Sequence, residues 1–434
     1  MRYYSTNGHA PQASLSEAVI KGLAADKGLY MPEQIMPLPA TFFNNLVDTP
    51  FHEMATAVAS RFFGDDMPAE DLERIVKETL NFEVPLVPVT DRIFSLELFH
   101  GPTLAFKDVG ARFMARLLGY FVSRSDDRRT VNVLVATSGD TGSAVANGFV
   151  GVEGVRVFVL YPAGKVSPLQ EAQFTTMGQN ITALRVNGTF DDCQAMVKAA
   201  FADAALNEQY LLTSANSINV ARFLPQAFYY FKAYAEMQQY GRSQNLVCCV
   251  PSGNFGNITA GLIAQRLGLP IKRFIATNNR NDVFYQYLKT GRYEAKPSIA
   301  TIANAMDVGD PSNFARILDL FGGSHEYIRS IISGETYTDE QIADTIRQTL
   351  ERTGYLLDPH GACAYRALQE NLRSDENGFF LETAHPAKFK ETVESIIERE
   401  VEVPTTLAAF ATREKKFIEI GKTLNDLKRV LKES

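Results

Sequence analysis

The chain has 434 residues, 45% of them hydrophobic and 21% charged, with 29 glycines, 19 prolines and 4 cysteines. This composition excludes a collagen, a low-complexity array and a disulfide scaffold, and the length suits two or three domains at roughly 150 residues each. The 43 basic and 50 acidic residues give a net charge of −7, without the basic surplus of a nucleic-acid binder, and no run nears the ~18 apolar residues of a membrane helix.

Met1-Arg2-Tyr3-Tyr4-Ser5 turns polar at once and lacks the apolar core of a signal peptide, so a cytoplasmic protein with reduced, buried thiols is expected. The first 88 residues read as a mainly helical N-terminal domain. Leu15, Val19, Ile20 and Leu23 keep helical spacing, and further helical patterns cover 52–63 and 71–80. Pro85-Leu-Val-Pro88 reads as a connection, because proline disfavours helix in the residue before it. From residue 93 short apolar, often β-branched runs predict strands at 93–98, 131–136, 155–161, 181–186, 210–213, 246–250, 273–277 and 379–383. Helical patterns at 111–122, 168–177, 190–206, 220–240 and 257–267 separate most of them. The alternation implies α/β layers on mostly parallel sheets, with ligands beyond the strand C-termini. Phe417, Ile420, Leu424, Leu427 and Leu431 predict an amphipathic tail helix, packed back on its own chain or used to dimerise.

Two glycine-rich turns each follow a strand and precede a helix. They are Ala136-Thr137-Ser138-Gly139-Asp140-Thr141-Gly142 and Pro251-Ser252-Gly253-Asn254-Phe255-Gly256-Asn257. Glycine lets the backbone approach a ligand closely, and the N–H groups at a helix start attract anions. Neither turn is a Walker A or a G-x-G-x-x-G. The second contains no acid and suits a phosphate; the first holds Asp140, which would repel one. Both also suit ordinary βα turns. No G-x-S-x-G elbow and no short metal spacing among the six histidines occur, against a serine hydrolase or a metal enzyme. Lys107 follows a strand and a Gly-Pro turn among apolar residues. Burial lowers a lysine pKa, and a neutral amine attacks aldehydes; a snorkelling lysine at a helix start is the simpler reading. Ser217, Asn219 and Arg222 cluster before the 220–240 helix. Asn219 reads as an N-cap and Arg222 as a phosphate fork, or simply as a surface arginine.

Together these segments closely resemble the threonine synthase family, enzymes dependent on pyridoxal 5'-phosphate (PLP) with the tryptophan-synthase-β fold. The motifs are Glu97-Leu-Phe-His-Gly-Pro-Thr-Leu-Ala-Phe-Lys107-Asp108, the 136–142 turn, Tyr161-Pro-Ala-Gly-Lys-Val-Ser-Pro-Leu-Gln170, Ser214-Ala-Asn-Ser-Ile-Asn219, the 251–256 turn, Asn304-Ala-Met-Asp307 and Thr383-Ala-His-Pro-Ala-Lys-Phe-Lys390. They stand in collinear order over nearly the whole chain. The resemblance implies PLP fold type II: an N-terminal domain (1–88), a large α/β domain (89–125 and 222–400), a small one (126–221) and a helical C-terminal segment (401–434). It implies that Lys107 carries PLP and acts as catalytic base. Ser252, Gly253, Asn254, Phe255, Gly256 and Asn257 would cradle its phosphate, and Thr383 would face its ring nitrogen. Asp140 would meet the cofactor edge; Thr137, Ser138, Gly139 and Thr141 would meet the substrate carboxylate. Ser217, Asn219 and Arg222 would hold a substrate phosphate. The implied reaction turns O-phospho-L-homoserine and water into L-threonine and phosphate in a monomer or small homo-oligomer, with no metal, nucleic acid or membrane. A sister enzyme, such as a threonine dehydratase, a cysteine synthase or a phospholyase, is the alternative, and a serine or threonine dehydratase would not need the second phosphate site; a binding protein would need no Lys107.

Overall fold

All eight predicted strands form in the computed structural model, which describes residues 1–433, and their ends shift by at most two residues. They sort into two sheets in two compact units of the chain, one comprising Met1, 32–106 and 223–402, the other 2–31, 107–222 and the segment from 403 onward.

The larger unit carries a six-stranded sheet in the order Ile332–Thr336, Arg273–Asn278, Leu246–Pro251, Asn377–Glu382, Ile93–Glu97 and Leu86–Pro88. Its first four pairings are parallel. Strands such as Leu246–Pro251 are buried along their whole length, as expected when helices cover both faces. Cys248 and Cys249 lie there, fully buried. Leu86–Pro88, read as a mere connection, pairs antiparallel with Ile93–Glu97, and its prolines are tolerated because it is the sheet edge. The opposite edge strand, Ile332–Thr336, has no apolar run because most of it is only half-buried.

The smaller unit holds an all-parallel sheet in the order Ile418–Ile420, Ile181–Val186, Val155–Pro162, Val131–Ala136 and Leu211–Ser214. The tail is not one helix. Ile418–Ile420 adds an edge strand to Ile181–Val186, and the helix starts only at Leu424, after a reciprocal Thr423–Asp426 cap. Ile420, Leu427, Val430 and Leu431 then join the core of this unit.

Two long helices expected from periodicity are interrupted. Asp203 ends one helix and caps the next, accepting from Leu206 N–H at 2.9 Å. The 220–240 pattern becomes Val220–Phe223, a 3-10 turn Leu224–Gln226 holding Pro225, and Ala227–Gln239, since proline offers no N–H to a continuing helix.

Domain edges also differ from those expected. Residues 2–31 group with the smaller unit, where the Asn219 side chain donates to Val19 O at 2.9 Å. Residues 32–88 group with the larger, tied by Leu38 N–H to Leu267 O at 2.8 Å and Leu86 N–H to Glu236 at 2.6 Å. The helix Lys107–Arg124 belongs to the smaller unit. Gly148 lies so close that a Cβ there would stand 3.1 Å from Ala111 O. The tail from 403 is part of that unit too, not a separate segment. Because Leu427 is fully buried, Leu427→Ala is expected to lower unfolding stability by about 3 kcal/mol, measured by denaturant titration.

Candidate active site

In the larger unit, Leu246–Pro251 and Asn377–Glu382 run parallel with Phe380 opposite Cys249. They end nearly level, so the 252–257 turn and Thr383 leave from neighbouring carboxyl ends. The helix Gly256–Arg266 follows at once, and its first N–H groups have no intrahelical acceptors. Ser252 is fully buried, donating N–H to Thr277 O and Oγ to Val250 O, both at 2.9 Å. The Asn257 amide donates to Pro251 O at 2.8 Å. These bonds shape the turn from inside. Gly253 is packed so that a Cβ would stand 2.5 Å from Ala305 O. Phe255 holds the left-handed conformation at φ 63°, a strained state for a side-chain-bearing residue, compensated by its buried ring against Phe284 at 4.6 Å. On the far flank, Asn254 Oδ1 accepts from Ser312 N–H at 2.7 Å and its carbonyl accepts from Asn313 at 3.0 Å.

The stretch ahead of Lys107 is clamped within the same unit. Phe106 N–H donates to Thr383 O at 2.9 Å, and His385 N–H to Leu104 O at 3.1 Å. The Tyr229 hydroxyl donates to Phe106 O. The buried Lys388 ammonium donates to Thr103 O at 2.7 Å. Leu104 is left-handed at φ 57°. Lys107 itself is the first residue of the helix Lys107–Arg124, which starts four residues earlier than the apolar pattern indicates.

A buried acidic string runs behind Thr383. Glu382 Oε1 accepts from Asp358 N–H at 2.6 Å, and Gly361 approaches so closely that a Cβ would stand 1.6 Å from Glu382 Oε2. Burial, then the neighbouring Asp358 carboxylate, push the Glu382 carboxyl well above its ordinary value. Asp358 accepts from His360 Nδ1 at 2.6 Å and from Ala384 N–H at 3.3 Å. His360 Nε2 accepts from Ala305 N–H at 3.1 Å. Asp307 accepts from Thr301 and Asn279 at 2.7 Å, yet burial pushes it up to about 6. Sequence reading missed Asp358, His360 and Glu382. Asp358-Pro359 is a legible helix start, but the contact between His360 and Ala305 spans 55 residues.

In the smaller unit, Val131–Ala136 and Leu211–Ser214 are adjacent and parallel, and Asn216 donates to Ala136 O at 3.1 Å. This brings the Thr137–Ser138–Gly139–Asp140–Thr141 turn beside the Ser217–Asn219–Arg222 cluster. Thr137 Oγ1 accepts from Gly139 and Gly142 N–H at 2.9 and 2.8 Å. Gly139 has φ 144° and ψ −78°, open only to glycine. The Asp140 carboxylate meets an amide: Gln170 Nε2 donates to it at 2.9 Å. Ser167, at 3.0 Å, in turn donates to Gln170 Oε1. Asn219 caps as expected, accepting from Ala221 N–H at 3.0 Å, while its amide donates to Val19 O at 2.9 Å. Both ends therefore bond within the protein. Arg222 is no surface side chain. It is 2% exposed and donates to Ala215 O, and Gly110 presses on it, a Cβ there standing 2.4 Å from Arg222 O.

The acid-free helix head at 252–257, with its side-chain-free approach at Gly253, fits a phosphate group. Thr383, on the neighbouring strand end, is a neutral hydroxyl. Among the described residues no cluster of His, Cys, Asp or Glu could hold a metal. All four cysteines are buried and free, and burial pushes the Cys193 thiol up to about 12, which disfavours thiolate chemistry.

The buried Glu382 sets a pH dependence. Its folded pKa is raised, so its contribution to stability is full below the ordinary carboxylate range and is lost as pH rises through the folded value. Glu382→Gln keeps the acceptor and carries no charge. It is expected to melt with the native protein below the ordinary carboxylate range and to melt higher than the native protein at alkaline pH, the gap widening as pH rises, in paired thermal scans.

Residues 86–378 match the family model described as pyridoxal-phosphate dependent enzyme, 2–80 match threonine synthase N terminus, and 361–431 match threonine synthase, C-terminal. The threonine synthase of Haemophilus influenzae is 46% identical over 407 residues, covering 94% of each chain. The crystal structure of Escherichia coli threonine synthase superposes with a TM-score of 0.94 at 42% identity, covering all of both chains. The PLP-bound threonine synthase from Brucella melitensis gives 0.92 at 36% identity, covering 100% of this chain and 99% of that one. The chain, an α/β protein of PLP fold type II, belongs to the threonine synthase family of pyridoxal-phosphate dependent enzymes.

Proposed function

We propose that the protein converts O-phospho-L-homoserine and water to L-threonine and phosphate, with Lys107 as the residue that carries PLP. The observation that carries this reading is the 252–257 turn. It is acid-free, heads a helix, and leaves from the strand end beside Thr383.

In this reading the N–H groups of Gly253, Asn254, Phe255, Gly256 and Asn257 receive the cofactor phosphate, with Ser252 fixing the turn from below. Thr383 meets the ring nitrogen with a neutral hydroxyl, which cannot hold a full positive charge there as a carboxylate would. PLP supplies an electron sink for charge left at the substrate Cα. The chain supplies the rest. Lys107 Nζ takes the Cα proton as general base. Thr137 and Gly139 shape a turn from which Ser138 and Thr141 grip the substrate carboxylate. Asp140, meeting the Gln170 amide, orients that turn at the cofactor edge. Ser217 and Arg222 hold the phosphate that leaves from Cγ, with Asn219 bracing them through Val19 and Ala221. A guanidinium in a buried setting binds phosphate more strongly than one in water. Expulsion of phosphate from Cγ requires a second proton to leave Cβ, and water, which adds at Cβ, must be kept out until the phosphate has gone.

Product analysis with O-phospho-L-homoserine, read together with the visible absorbance of the protein, tests the reading. Threonine and phosphate in equal amounts support it; an oxoacid with ammonia would indicate a dehydratase instead. Lys107→Ala should lower kcat by about three orders of magnitude or more, and borohydride should no longer fix PLP to the protein. Full turnover by that variant would remove the assignment. Arg222→Ala should raise KM for the phosphorylated substrate about tenfold or more while PLP stays bound. Loss of PLP instead would mean that the two phosphate sites are interchanged.

A further inference from the structure

Asp358 and His360 sit between the two turns read above as cofactor contacts, and neither touches solvent appreciably, at 0% and 2% exposure. One oxygen of Asp358 accepts from His360 Nδ1 at 2.6 Å; the other accepts from Ala384 N–H, next to Thr383, at 3.3 Å. The far imidazole nitrogen can only be an acceptor, because Ala305 N–H points into it at 3.1 Å. This fixes the tautomer: the proton lies on Nδ1, toward the carboxylate. Ala305 then stands with its carbonyl where a Gly253 side chain would be, 2.5 Å from that Cβ position. Hydrogen bonds thus join Ala384, Asp358, His360 and Ala305, and the Ala305 carbonyl packs directly on Gly253 of the 252–257 turn.

We propose that the Asp358–His360 pair is a strut holding the phosphate turn and the Thr383 turn at a fixed separation, and that His360 is a positioning residue for the cofactor. The proposal rests on reading both turns as PLP contacts. A buried Asp–His pair hydrogen-bonded at both ends is rigid, and that rigidity is what a preorganised anion turn needs. Helix capping by Asp358, which accepts from His360 N–H at 2.6 Å, accounts for the aspartate but not for the imidazole reaching Ala305.

The test is PLP titration of the full-length apoprotein, followed by absorbance and by the phosphorus NMR shift of the bound phosphate. His360→Leu fills the space without an acceptor; His360→Gln restores one. The first should weaken PLP binding about tenfold and move the phosphate resonance, and the second should stay within about twofold of native. A His360→Leu protein that melts lower yet binds PLP as native does would overturn the strut and leave His360 a packing residue. Should His360→Leu not fold, the native imidazole decides. Nitrogen NMR should show Nδ1 protonated and Nε2 bare, with the Nε2 resonance shifting when PLP is added. A protonated Nε2, or one indifferent to PLP, overturns the proposal. Native apoprotein that takes up no PLP removes the underlying reading itself, whatever the variants do.

Discussion

Two parallel strands that end side by side are the constraint on which the larger unit depends. The register of Leu246–Pro251 against Asn377–Glu382 is set by the ladder, and a slip of one residue would turn every side chain to the wrong face. Once it is set, the turn after one strand and the hydroxyl after the other must be neighbours. Everything else nearby acts to keep those two turns in place. Ser252 and Asn257 bond inward to the ends of the strands. Asn254 is held from the 312–313 side. Leu104 to Phe106 is bonded antiparallel to Thr383 to His385, so the chain enters Lys107 from a fixed position.

These arrangements cost stability locally. Phe255 and Leu104 adopt left-handed backbone, each worth about 1–2 kcal/mol of strain. Glu382 is buried beside a second carboxylate. Such features persist where the surroundings over-determine them, which is typical of sites rather than scaffolds. The surroundings here are the aromatic packing of Phe255 on Phe284 and hydrogen bonds that reach across distant parts of the sequence.

The smaller unit solves a different problem. Its turn at 137–141 is built by hydroxyls and glycine, and its one acid is met by Gln170. Glycines at 110 and 148 let the Lys107–Arg124 helix approach its neighbours at backbone distance. That packing explains why this helix belongs with the smaller unit although Phe106, just before it, belongs to the larger one.

By itself the sequence determined most strands of both sheets, the two glycine-rich turns, the singular lysine and the family to which the motifs belong, because strand periodicity and turn chemistry are local. It misread the tail, since an apolar residue every three or four positions also suits a short strand followed by a capped helix; the pairing of Ile418–Ile420 with Ile181–Val186 decided between them. It drew the domain edges by chain order, whereas contacts drew them by packing, sending 2–31 and 107–124 to the smaller unit. Arg222, read as a phosphate fork or a surface arginine, is 2% exposed, which charge alone does not predict. Asp358, His360 and Glu382 carry no motif of their own. Their meaning arises where residues far apart in the chain share one buried hydrogen-bonded line, and separation in sequence holds no record of that distance in space.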